Sequence, residues 1–145
     1  MCVFALGAGA PAASSGQTPN GPDVDPAAVT FHKDIEPILQ RSCQNCHREE
    51  SVAPMSLLTY ADARPWARAM KRRTAMGPRA GVMPPWYVER NIGIQDYKYD
   101  PSLSDTEVAL IATWADNGAP RGNPADVPPA RDFGDGGWTI GAPDL

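Results

Sequence analysis

The segment Cys43-Gln44-Asn45-Cys46-His47 concentrates the reactive side chains of this chain. Two thiols three positions apart can each bond one of two vinyl-derived carbons on the edge of a tetrapyrrole. The histidine next in sequence can then swing beneath the ring and coordinate its iron. The spacing predicts c-type haem attachment: one covalent haem c, bonded to Cys43 and Cys46, with His47 as an axial iron ligand. Three other chemistries compete for these residues. A thioredoxin-like pair requires a strand–helix setting, which the sequence does not offer. A zinc centre requires four tetrahedral ligands, and with two histidines in the chain only His32 is spare. A plain disulfide leaves His47 unexplained.

An electron-carrying haem pairs its histidine with a methionine or a second histidine. The candidates are Met55, Met70, Met76, Met83 and His32. Met55 follows His47 too closely to reach the opposite face of a ring. Met70 falls on an apolar stripe with Trp66 and reads as core. Met83 is followed by Pro84-Pro85-Trp86, and a proline-stiffened backbone holds a weak thioether at low entropic cost. Met83 is therefore the expected second metal ligand beside His47. Gap filling in the core is the plain alternative for any one methionine. Pro54 has two readings: its carbonyl accepts the Nδ1–H of His47 and fixes the ring's tautomer, or it is a simple turn proline. Trp66, Trp86, Tyr87 and Trp114 are expected to line a haem crevice or pack in the core, with Trp86 or Tyr87 available to a propionate. Arg64, Arg68, Lys71, Arg72, Arg73 and Arg79 form a basic run. A solvated helix face explains it; a docking patch for an acidic redox protein is the sharper reading.

The elements that must position these residues read as helices. A first helix is expected from near Asp34, capped by that residue, with Pro37 in its first turn and Ile35, Ile38 and Leu39 as its apolar stripe. A second lies within residues 59–75, where Thr59 and Asp62 form a capping box and Pro65 forces a kink or a late start. The third is the clearest. Ser104 and Glu107 form a capping box, Leu103 and Val108 a hydrophobic staple, and Val108, Ile111, Trp114 and Ala115 the buried stripe. Asn117-Gly118 and then Pro120 end it. Sustained alternation of apolar and polar residues is missing, so the fold class is all-α.

The chain has 145 residues, 42% of them hydrophobic, and a net charge of -4. That length suits one domain, and the acidic balance argues against nucleic acid as a partner. Of its 16 prolines and 13 glycines, only ten fall in residues 30–117. The organisation expected is a truncated signal segment at 1–13, a flexible linker at 14–29, a folded domain at 30–120 and an irregular tail at 121–145. Ala10-Pro11-Ala12 resembles a signal-peptidase site, which places the protein in the periplasm or otherwise outside the cytoplasm. Cys2 then belongs to the removed segment. No stretch approaches the ~20 apolar residues of a transmembrane helix.

Several blocks together resemble a group of bacterial cytochrome c domains similar to class I cytochromes c. They are Phe31…Asp34-Ile35…Pro37-Ile38-Leu39…Cys43…Cys46-His47, Ala53-Pro54-Met55-Ser56-Leu57-Leu58-Thr59-Tyr60, Ala63-Arg64-Pro65-Trp66-Ala67, Met83-Pro84-Pro85-Trp86 and Trp114…Gly118-Ala119-Pro120. The resemblance covers about residues 30–145. It implies a small helical domain around one haem, His47 as proximal ligand, Met83 as distal ligand, and electron transfer to redox protein partners, not catalysis by side chains. Such domains also stand at the amino end of longer chains, some resembling copper-dependent ascorbate-type monooxygenases. An electron-entry module of a larger oxidoreductase is therefore one alternative. A sensing or catalytic haem with an open sixth position is another.

Overall fold

The computed structural model describes residues 25, 28–77, 81–85, 93, 97, 98 and 100–134. The signal segment expected at 1–13 and most of the linker lie outside the described residues, as do Arg79, Trp86, Tyr87 and Trp138. The described secondary structure is helical and contains no strand, so the all-α expectation holds. Val29, one residue ahead of the expected domain start, is already packed at 1% exposed.

The first helical segment opens ahead of Asp34, as a π-turn over Phe31–Ile35 that runs into α1 (Glu36–Ser42). Asp34 is therefore not the cap. Its carboxylate reaches back from inside the turn to accept the Thr30 N–H at 2.7 Å. Pro37 explains the wide turn. It has no N–H for the carbonyl one turn back, and its ring crowds that carbonyl. A switch to i→i+5 bonding relieves both, and the Glu36 N–H accordingly donates to the Phe31 carbonyl.

Residues 60–74 form one helical run in three parts: α2 (Tyr60–Ala63), a 3-10 turn (Arg64–Trp66) and α3 (Ala67–Thr74). The Thr59–Asp62 capping box is present in both directions. Pro65 does not delay the helix, which already starts at Tyr60; it falls in a 3-10 turn that interrupts the α-helical run. That tightening has a consequence for Trp66. A 3-10 turn advances about 120° per residue instead of about 100°, which rotates Trp66 away from the Met70 face. Met70 is buried, whereas Trp66 is 41% exposed, so Trp66 does not pack in the core.

The last helix, α4 (Asp105–Asp116), carries the expected Ser104–Glu107 capping box. It ends in a Schellman pair: the Gly118 N–H donates to Ala115 O and the Ala119 N–H to Trp114 O. Gly118 takes the left-handed conformation this requires, with φ of 81°. Phe31, Ile35 and Leu39 from the first segment, Ala63, Ala67 and Met70 from the second, and Ile111, Trp114 and Ala115 from α4 share one core. Phe31 is its hub, with ring centroids 5.4 Å from Tyr60 and 5.8 Å from Trp114. Each large side chain so buried contributes about 1.5–3 kcal/mol.

The expected irregular tail is tied along the first helix. Phe31 and His32 donate backbone N–H groups to the carbonyls of Pro120 and Arg121, and the Trp114 Nε1–H donates to the same Pro120 carbonyl. Further on, Gln40 Nε2 donates to Pro129 O, and Arg131 donates to the Gln40 carbonyl. The Phe133 ring lies within 4.8 Å of the Arg48 guanidinium and 5.2 Å of that of Arg131. No helix among the described residues is long and apolar enough to cross a membrane.

Candidate functional site

Cys43 caps the C-terminus of α1, its N–H on the Leu39 carbonyl at 2.9 Å. The chain then turns tightly. Cys46 and His47 both donate backbone N–H groups to the Cys43 carbonyl, at 3.1 and 3.0 Å. The turn gathers two cysteines and a histidine into one loop at the end of a packed helix. Both thiols are unpaired; Cys46 is exposed and Cys43 lies partly buried against the core. Burial pushes the Cys43 thiol up to about 12, with Cys46 and Glu107 adding to the rise and Arg41 opposing it. A thioredoxin-type nucleophile requires the reverse, a lowered thiol pKa. The direction of the shift argues against a thioredoxin-type exchange role for Cys43.

His47 is nearly buried, and its Nδ1 lies 3.2 Å from the carbonyl oxygen of Met55. A carbonyl only accepts, so Nδ1 carries the proton and Nε2 keeps its lone pair. That is the tautomer a metal-ligating histidine adopts. The acceptor expected was Pro54; the structure places it one residue further on, and Pro54 itself is exposed. The reason is geometric. Residues 53–57 bridge the loop, pinned at one end by the Ala53 N–H on Cys46 O and at the other by the Leu57 N–H on His47 O. Met55 stands midway between the two anchors, so its carbonyl faces the ring. Met55 is thereby also removed as a ligand on the opposite face.

His32 is engaged elsewhere. Its Nδ1 sits 2.7 Å from Glu36 Oε2, and its Nε2 accepts from Arg121 Nε at 3.1 Å. With both ring nitrogens in use, it is poorly placed as either an axial ligand or a zinc ligand. Among the described residues no three His, Cys, Asp or Glu side chains cluster as a metal site. A haem iron asks less of the protein: one histidine from the loop and one further ligand. Two unpaired thiols in the same loop as a His47 whose Nε2 has no partner among the described residues fit that group.

Met83 lies in the segment that folds back on the end of α3. Its N–H donates to the Arg73 carbonyl at 3.2 Å, and Arg73 Nη1 donates to the Gly81 carbonyl at 3.1 Å. The thioether is not used as core filling, since the residue is 39% exposed. Among the described residues no hydrogen bond or ring contact joins Met83 to the 43–47 loop. Trp114 is core, as expected. Of the basic run, Lys71 pairs with Asp116 at 2.6 Å, whereas Arg64, Arg68 and Arg72 stand exposed at helical spacing.

Sequence reasoning missed two partners of the loop. One is the Met55 carbonyl. The other is Gln44, 2% exposed, whose Nε2 donates to the Leu57 carbonyl at 3.0 Å. A polar residue between two closely spaced cysteines carries no signal of burial; only the fold reveals it. Comparisons with protein-family models, with curated proteins and with solved structures returned no match.

Proposed function

We propose that this chain carries one covalently attached haem c and transfers electrons outside the cytoplasm, in the periplasm or an equivalent exported setting. The observation that carries the reading is the state of His47. Its Nδ1–H is committed to the Met55 carbonyl, so Nε2 is left as a ligand in the loop that also carries two unpaired thiols. Cys43 and Cys46 hold the group by thioether bonds. His47 would supply one iron ligand, and the half-exposed Met83 would supply the other. Trp86, next in sequence to the Met83-Pro84-Pro85 block, is proposed from the sequence as a further residue for the same group. When bound, the haem supplies a one-electron couple. The chain's own residues orient its ligands, bury its apolar face and set its potential through ligation and burial. No side chain is assigned as an acid, base or nucleophile. Exposed Arg64, Arg68 and Arg72 suit a redox protein with an acidic surface.

The test is mass spectrometry of the protein produced together with haem-attachment machinery. One added haem is expected. Cys46→Ala should retain the group by a single bond, and the double variant with Cys43→Ala should lose it. An unshifted mass of the parent protein ends the proposal.

A further inference from the structure

We infer that Gln44 is a positioning residue for His47: its buried amide clamps residues 53–57 so that the Met55 carbonyl meets the His47 Nδ1–H. The inference rests on the reading of His47 as an iron ligand.

The geometry runs through Leu57. Its N–H donates to the His47 carbonyl at 2.9 Å, and its own carbonyl accepts from Gln44 Nε2 at 3.0 Å. Both backbone polar groups of Leu57 are therefore bonded to the 43–47 loop. Its side chain is buried in the core, so the residue is held on every side. At the other end of the segment, the Ala53 N–H rests on Cys46 O. The Met55 carbonyl hangs between these two anchors and has no other role in the described bonding than to receive His47 Nδ1. The orientation of Gln44 is not ambiguous, because a carbonyl partner requires the amide nitrogen.

Burial gives the bond its weight. A donor and an acceptor withdrawn from water cost more when left unpaired than they gain when paired. Removing the Gln44 donor leaves the Leu57 carbonyl without a partner in a dry site. The segment can then recover only by moving toward water, and Met55 moves with it. His47 loses the acceptor that fixes its ring and raises its basicity. Gln44 thus acts on the ligand without touching it.

The experiment compares 15N-labelled wild type, Gln44→Met and Ile111→Val in the haem-loaded protein. Methionine matches the length of glutamine and removes the donor. Ile111→Val trims the core from α4 without removing any hydrogen bond of the loop, and controls for lost stability. The readouts are the exchange rate and 15N shift of His47 Nδ1–H, and the reduction potential. In Gln44→Met the exchange should quicken about tenfold, the equivalent of one ordinary hydrogen bond. The potential should rise, because a less basic imidazole stabilises the oxidised iron less. Ile111→Val should move neither. An unchanged exchange rate in Gln44→Met, or an equal change in Ile111→Val, overturns the inference. If the wild type carries no haem, the haem reading fails on its own mass measurement. The same exchange comparison on the haem-free protein then still decides whether Gln44 holds His47.

Discussion

Gly122→Ala should loosen the strap that runs from α4 along the first helix. Gly122 has φ of +83°, where an L side chain is strained, and a Cβ there would meet Thr30 Oγ1 at 2.5 Å and Thr30 Cβ at 2.6 Å. Thr30 cannot yield easily, since its N–H is tied to Asp34 and its Cβ is fixed to the backbone. The strap must lift instead. The bonds next to Gly122 are His32 N–H to Arg121 O at 3.2 Å and Arg121 Nε to His32 Nε2 at 3.1 Å. The left-handed conformation costs alanine about 1–2 kcal/mol. Two weakened hydrogen bonds add about 1–2 kcal/mol more. The total expected is about 3 kcal/mol, read as a shift in urea midpoint at constant slope. Gly118→Ala is the internal control, because its φ is +81° but nothing lies within 4 Å of the added carbon. It should show the conformational cost alone, about half the loss. Thr30→Gly removes the obstructing Cβ, so the double variant should recover the contact part of the cost. Equal losses for the two alanine variants, or strict additivity with Thr30→Gly, would refute the reasoning.

Three further outcomes follow from the same structure. Trp114→Phe removes a bond to the Pro120 carbonyl and opens a cavity in a fully buried site; a loss of about 2–3 kcal/mol is expected by denaturation, and under 1 kcal/mol would place Trp114 outside the core. Burial alone would raise the Glu107 carboxyl, but hydrogen bonds from Ser104 and Arg41 outweigh it and hold the group below its ordinary value of 4.5. A lowered folded value means stability that is present above 4.5 and lost as pH falls through the folded value; Glu107→Gln should flatten that acid limb of the stability profile. Met83→Ala should keep the covalent haem while losing the weak far-red methionine-to-iron absorption, and retention of that band would remove Met83 as the ligand.

The parts of this molecule legible in the sequence are those decided within a few residues. Both capping boxes, Thr59 with Asp62 and Ser104 with Glu107, are local bargains between a hydroxyl, a carboxylate and two backbone N–H groups. The Schellman end at Gly118 is equally local. Pro37 and Pro65 were legible as disturbances, though not in their resolution. Each can be met by widening or tightening a turn as well as by breaking the helix. Which one occurs depends on what the helix packs against. Phe31 and Trp114 hold the π-turn and α4 together, so the helix widens at Pro37 and does not stop.

What was not legible arises from pairing across distance. The strap reads as a solvated tail because proline, glycine and charge fill it. Yet its carbonyls are acceptors for Phe31, His32 and Gln40. A backbone carbonyl has no residue type, so no composition announces it. The same holds at the candidate site. His47 requires an acceptor, and by residue type Pro54 is the one the sequence suggests. The structure selects Met55 because the anchors at Ala53 and Leu57 place that carbonyl midway between them. The chemistry of the loop is thus written in side chains, and its geometry in the main chain of residues 53–57. Gln44 is the point where the two meet, a side chain inside the motif spent on holding a backbone that in turn holds the histidine.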